Sequence, residues 1–525
     1  MSRTKHAWTA LIVLAFWMAI PDAGPCSAAE KVFRMRREQP MQTFDPARVT
    51  NHTTAVVLRL IHDHLVDYTP GAWPQIEPQL AEKYVVSGDG RTYTFYLKKG
   101  VRWQKGFGEF TSEDMRFTVE RVMDSKNKFP LRSLWTEVIS KIETPDPHTI
   151  RFILKKPDPS FLTKIAPWRM GAVVCKKAVE KFGPDYAQKP ETIVGSGPFE
   201  VSAFTPDQKL ILKRFAEYHG RKPKLDRIEM YMITDESTGV LSLQKGEIDL
   251  TIIREPENLV TVRKAQNLNI YTGISGTTKG FIALNTEHPV LKDVRVRRAM
   301  IHALDRDLII KALGEMARKA CGWLAPGVYW GAIPCDELPS YPYDPALAKK
   351  LLAEAGYPNG FKLKYVGHNE KSFADLDPVL QAYWKEVGIE TEIELLPLKE
   401  WLARMYQGTS PAIKFVMGTR PPEPSLFLFS TFHSSSAKPG MNAMLYKGVD
   451  DLLDKAHLAT NERERKAIYA QIQKKIMEDA VIIPIFFETA ITATRQNVDL
   501  GRGAKGKELM SPFWHYFWLE EIDLK

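Results

Sequence analysis

Cysteine is scarce in this chain, with four among 525 residues. That excludes a small fold stapled by many disulfides. Long apolar runs are missing as well. The run at residues 7–20 has fourteen residues, short of the roughly 20 that a bilayer span needs, and no later stretch is a candidate span. There is no low-complexity tract and no sustained heptad repeat. Lys and Arg are scattered without a long basic block. The net charge of +9 therefore reads as a solvated surface, and no nucleic-acid partner is expected. GxSxG, HExxH, P-loop and CxxC motifs are all absent. No catalytic residue, metal or cofactor is expected. The one tight His/Asp cluster is His62-Asp63-His64. On a helix, residues two apart point about 200° apart, so both imidazoles would not reach one metal. Solvated polar residues of a helix are expected there.

What is present is an ordinary globular composition, 44% hydrophobic and 26% charged, with length for about two to four domains. Arg3 and Lys5 precede the apolar run, and Ser27, Ala28 and Ala29 follow it. This is the pattern of a cleavable export signal over residues 1–29. Lipidation at Cys26 is the lesser reading, because Pro25 stands directly before it. Losing Arg3, Lys5 and Asp22 with that segment takes the charge from +9 to +8. The mature chain is expected to be exported, soluble and monomeric. Cys321 and Cys335 flank a loop rich in Gly, Pro and Trp. A bridge is expected between them in an oxidising compartment, with two free thiols as the alternative. Cys175, in an apolar run, is expected to be a buried free thiol.

Residues 194–250 are the most informative stretch. Gly195, Gly197 and Pro198 predict a tight turn, glycine serving for positive φ. Alternation predicts strands at 199–203, 209–215 and 228–233. Asp235 caps a helix carrying Val240, Leu241 and Leu243, which Gly246 ends. A strand resumes at 248–250. Elsewhere, strands are predicted at 31–36 and 92–97, and a helix at 55–67. Thr111 and Asp114 form a capping box for a helix reaching 123. Asp293 caps a helix with Val296, Ala299, Met300 and Ala303 inward. Asp344-Pro345 opens another, with Ala348, Leu351, Leu352 and Ala355 inward and Gly356 at its stop. Residues 461–477 read as an amphipathic helix. Residues 482–487 read as an apolar strand whose Pro484 marks an edge or an end. Strands alternating with helices give an α/β class.

The order of these signals is also that of a known family. The Gly195–Pro198 turn, Tyr218-His219-Gly220, KPKLDR at 222–227 and LQKGEID at 243–249 resemble the extracytoplasmic binding proteins of dipeptide- and oligopeptide-type ABC importers, solute-binding family 5. Residues 79–123 and 281–310 are similar to the family as well, departing at Lys105, where an aspartate is usual. The resemblance implies a two-lobed periplasmic binding protein fold of cluster C type, with a hinge and an extra domain inserted in the first lobe. It implies lobe I at 30–78, 192–281 and 490–525, the inserted domain at 79–191, and lobe II at 282–489.

Candidate ligand contacts follow from the same comparison. Peptide binders carry a Trp-x-Ala-Asp-Tyr-Pro-Asp-Pro segment whose aspartate holds the ligand's α-ammonium. Here Pro422-Glu423-Pro424 aligns with its end, so Met417 stands at the tryptophan, Thr419 at the alanine and Arg420 at the aspartate. A cation there would repel an ammonium and would suit a carboxylate or phosphate. The alternatives are a shifted alignment, or pairing of Arg420 with Glu423. Further candidates are Trp168 and Arg169, Thr277 and Lys279 before the hinge strand, and Thr53 in the loop after Asp45-Pro46. Trp330 and Trp514, with Trp323, are candidate aromatic walls, ordinary packing being the alternative. Trp384 and Trp401 are read as core. The expected function is a periplasmic substrate receptor of a peptide/opine/nickel-type ABC importer, not an enzyme. It would deliver a solute, anionic or N-blocked, to a permease heterodimer with its ATPases. A secreted hydrolase of a peptide- or opine-like ligand, or a receptor or chaperone without transport, are the rival readings.

Overall fold

The alternating segments pair as strands at the predicted places. The computed structural model describes residues 29–41, 43–49, 52–167, 171–275, 278, 280–369, 375–416, 423–510 and 518–525. Strand Val32–Arg37 lies parallel to Arg227–Met232 on one side and to Leu250–Ile253 on the other. Lys209–Arg214 and Phe199–Thr205 extend the sheet antiparallel beyond Arg227–Met232. A second group holds Phe361–His368 parallel to both Ile389–Leu396 and Ala412–Phe415. Gly280–Leu284 pairs antiparallel with Ala412–Phe415.

One long strand, Ile482–Arg495, joins the two groups. Its first half pairs with Gly280–Leu284 and Ala317–Lys319, and its second half with Leu250–Ile253 and Leu268–Ile274. Pro484 is the third residue of this strand and is paired on one flank only, near the strand end as expected. A proline is tolerated there because the register slips beside it: Gly280 faces Phe486 while Phe281 faces Pro484. On the other flank strand pairing starts only at Phe486. The missing N–H thus falls at a bulge.

Two large hydrophobic cores flank this strand. One gathers residues between Phe33 and Tyr271 together with Ala490 to Ile522. The other runs from Phe281 to Phe487. A separate antiparallel sheet, ordered Ala81–Val86, Thr92–Leu97, Thr149–Leu154 and Ile139–Asp146, packs into the first. Trp384 and Trp401 are buried in the second core, as expected. Trp323 is buried there too, against Phe281, Phe415, Phe427 and Phe432. It is packing, not a cleft wall. Each large side chain so buried contributes about 1.5–3 kcal/mol relative to exposure.

The caps are where the sequence placed them. The carboxylate of Asp235 accepts from Thr238 N, and Gly246 ends that helix at φ 78°. Thr111 and Asp114 form the capping box. Asp293, Asp344 and Asn461 cap their helices. The helix expected at 55–67 is instead His52–Ile61, followed by a strand at Val66–Tyr68. Its early end has a visible cause. The carbonyl of Ile61 accepts from Gly197 N at 2.8 Å, and a Cβ on Gly195 would sit 1.8 Å from that oxygen. Gly195 and Gly197 are thus needed for close approach, not for positive φ.

His62, Asp63 and His64 consequently lie beyond the helix, and all three are buried. The expectation of solvated helix polars is overturned. Asp63 accepts from Tyr218 Oη at 3.3 Å and Gln79 Nε2 at 3.0 Å, and lies 2.9 Å from His219 Nε2. The Tyr218-His219-Gly220 corner is therefore anchored on Asp63. Burial pushes His62 down to about 4. The remaining motifs are also fasteners. Asp226 accepts from Lys31 N at 2.8 Å, and Asp249 from Arg34 N at 2.8 Å. The departure at Lys105 is accommodated, since its ammonium donates to the carbonyls of Pro190 and Ile193. Cys321 and Cys335 form the expected disulfide, and Cys175 is a buried free thiol pushed up to about 12 by burial.

Candidate functional site

Open sheets with parallel strands hold ligands beyond the carboxyl ends of those strands. In the first half of this molecule, the central strands end at Arg37, Met232 and Ile253. In the second half they end at His368, Leu396 and Phe415. A cavity of about 260 Å³ opens between the two edges. Arg254, Glu255 and Glu257, just past Ile253, line one side. Asp375, Leu376 and Lys414 line the other, and Phe486 and Glu488 of the crossing strand form its back.

Each side is held from below. Glu236, the first residue of helix Glu236–Lys245, accepts from Arg254 N at 3.1 and 3.0 Å and from Glu255 N at 3.1 Å. Asn258 Nδ2 donates to the same carboxylate at 3.0 Å. Burial raises the Glu236 carboxyl, and these donors oppose the rise. The Arg254 side chain turns to Glu38, Nε to Oε2 3.1 Å. Across the cavity, Lys414 pairs with Asp377 in a buried ion pair. Tyr365 Oη donates to that carboxylate at 2.8 Å. Burial raises the Asp377 carboxyl, with the lysine opposing. Trp401 Nε1 donates to the Lys414 carbonyl at 3.0 Å, fixing the strand end.

The two halves also touch away from the crossing strand. Trp73 Nε1 donates to the carbonyl of Val328 at 2.9 Å, and Arg263 pairs with Glu315. Among the described residues no group of His, Cys, Asp and Glu is arranged to hold a metal ion.

A family model described as bacterial extracellular solute-binding proteins, family 5 middle, matches residues 75–439. The chain belongs to that family. Its sequence is 27% identical over 485 residues to the dipeptide-binding protein of Escherichia coli K12, covering 87% of this chain and 89% of the relative. It is 30% identical over 471 residues to heme-binding protein A of Haemophilus influenzae, covering 84% of each. Among solved structures, the binding protein MoaA of A. tumefacien R10 in complex with mannopinic acid superposes at TM-score 0.76. It is 26% identical, over 95% of this chain and 100% of that one. These relatives are solute-binding proteins, not enzymes, and family members work with ABC permeases. The fold is the two-lobed α/β fold of periplasmic binding proteins. Among the described residues no helix is long and apolar enough to cross a membrane.

In this solute-binding protein most of the sequence candidates lie outside the described residues: Trp168, Arg169, Thr277, Lys279, Met417, Thr419, Arg420 and Trp514. Residues 1–28 lie outside as well. Thr53 is in helix His52–Ile61, its side chain outside the description. Trp330 does not line the cavity. Its ring carries Arg465 at 4.6 Å and Lys466 at 5.1 Å, and its Nε1 donates to Glu462 at 3.2 Å. Glu423 faces inward, accepting from Tyr469 Oη at 2.6 Å and Ser425 N at 3.0 Å, with Arg465 3.7 Å away. Sequence reasoning missed Arg254, Glu255, Glu257, Asp375 and Glu488. The available signal was position: Arg254 and Glu255 directly follow a buried strand and precede Pro256 at a helix start.

Proposed function

We propose that this chain is the periplasmic receptor of an ABC importer, closing two lobes over one small solute of the peptide or opine class. The group of that solute nearest Arg420 is anionic or N-blocked. Lobe I comprises residues 30–78, 192–281 and 490–525, with 79–191 inserted, and lobe II comprises 282–489. The two cores on either side of strand Ile482–Arg495 support this division. Residues 1–29 export the chain and are removed. The closed monomer docks on a permease heterodimer whose ATPases drive uptake.

One observation carries the choice of ligand end. The segment 417–424 has Arg420 where peptide binders have an ammonium-holding aspartate, and its one acidic residue, Glu423, is buried against Tyr469, Ser425 and Arg465. Neither residue supports capture of an α-ammonium. Native mass spectrometry of the mature protein as purified, followed by a thermal-shift panel, tests this. An intact co-purified solute is expected, and N-acetylated or acidic probes should raise Tm more than free neutral peptides. Arg420→Asp should weaken the preferred acidic probe by about tenfold or more. A wild-type preference for unblocked neutral peptides, unchanged in Arg420→Ala, sinks the ligand reading. Recovery of cleaved products sinks the receptor reading.

A further inference from the structure

The cavity between the strand edges has two features that together select a ligand group. Its inner wall is hydrocarbon, with Leu313, Met316, Leu376, Val379 and Phe486 lining about 260 Å³. Among the described residues its charged lining holds three exposed carboxylates, Glu255, Glu257 and Asp375, beside two cations, Arg254 and Lys414. Both cations are already engaged, Arg254 by Glu38 and Lys414 by Asp377. Among the described residues Glu255, Glu257 and Asp375 make no ion pair. Glu255 accepts one hydrogen bond, from Asn258 Nδ2 at 3.3 Å.

The carboxylates are not spread evenly. Glu255, Glu257 and Asp375 are exposed, while Met316 and Phe486 of the apolar wall are buried and Leu313 and Leu376 are half-buried. Glu255 and Glu257 come from the first half of the molecule and Asp375 from the second. Like charges brought together by closure repel, and a cation placed between them removes that repulsion.

We infer that this cavity takes a long aliphatic side chain ending in a cation, as lysine or arginine carries, so that the imported solute is cationic at this end. The stem lies on the hydrocarbon wall and the cationic head reaches the carboxylates of both lobes. The volume fits one such side chain and excludes a second molecule of peptide size. This rests on the receptor reading above, and it adds a cationic group to the imported solute.

Matched probes test it. Ala-Lys and Ala-norleucine, each free and N-acetylated, differ only in the ammonium at the side-chain end. Arginine and citrulline counterparts repeat the comparison with a guanidinium. Calorimetry on the mature wild-type protein should give the lysine and arginine probes about tenfold or more tighter binding than their neutral partners. The ratio should fall towards one in the Glu255→Gln/Glu257→Gln double variant, and also in Asp375→Asn. A melting curve for each variant checks that it is folded. Equal binding of lysine and norleucine probes to wild type overturns the inference while leaving the receptor reading intact. A preference that survives in both carboxylate variants overturns it as well. If no probe binds and no solute co-purifies, the receptor reading fails and takes this inference with it.

Discussion

Arg37 ends the central strand of the first half, and only 4% of it is exposed. All three of its guanidinium nitrogens are buried without a hydrogen-bond partner among the described residues. Burial lowers its pKa, and the charge of Asp207 opposes that. An unpaired buried charge is costly, and a hydrophobic replacement of similar length is often stabilising by about 1–4 kcal/mol. Arg37→Met should therefore raise Tm in a thermal melt; a lower Tm at unchanged circular dichroism would show that the guanidinium has a stabilising role. At this scale the sequence was legible wherever a side chain acts on its own neighbours. Asp235, Asp293, Asp344 and Asn461 each cap the helix they precede, because the bond spans two or three residues. Asp63 was not legible, since its partners Tyr218 and His219 are some 155 residues away. Glycine was misread for the same reason: nothing local says that Ile61 passes within contact of Gly195.

Strand and helix types were read well from periodicity, and their ends less well. Thr92–Leu97 matches its predicted span, but the helix expected at 55–67 stops at Ile61, where a distant turn takes its last carbonyl. Pro484 did mark a strand end, but the bulge beside it was not legible, because a bulge is a property of two strands together and shows in neither alone. The loop between Cys321 and Cys335 is the element most dependent on a covalent tie. It has little regular structure, and the bridge closes a sequence separation of 14 residues. Such a loop gains about 3 kcal/mol from loss of unfolded-state freedom. The Cys321→Ser/Cys335→Ser pair should unfold at a visibly lower urea concentration, and reducing agent should destabilise wild type but not the pair. Equal midpoints for both proteins would show that the bridge contributes nothing to stability.

For the molecule as a whole, sequence order was enough to anticipate two lobes of α/β type, because family motifs are framework fasteners such as Asp226 and Asp249. The candidate cleft was less legible. Its carboxylates Glu255 and Asp375 are 120 residues apart and come together only through folding. In the proposed receptor, closure joins them, and the hydrogen bond from Trp73 to the Val328 carbonyl spans the two halves. Trp73→Phe removes that hydrogen bond and keeps most of the ring. It should weaken solute affinity about three- to tenfold, and raise the ligand-free radius of gyration in solution scattering. Unchanged affinity and radius would mean that this contact does not hold the lobes together.

The strand Ile482–Arg495 has a consequence for modularity. It is a neighbour in hydrogen bonding to strands of both halves. A cut anywhere along it would strip both sheets at once, exposing unpaired backbone on each side. The halves are therefore not interchangeable cassettes. Recombination between relatives, or grafting of one binding half onto another scaffold, has to exchange this ribbon and its Pro484 bulge together with both of its neighbours.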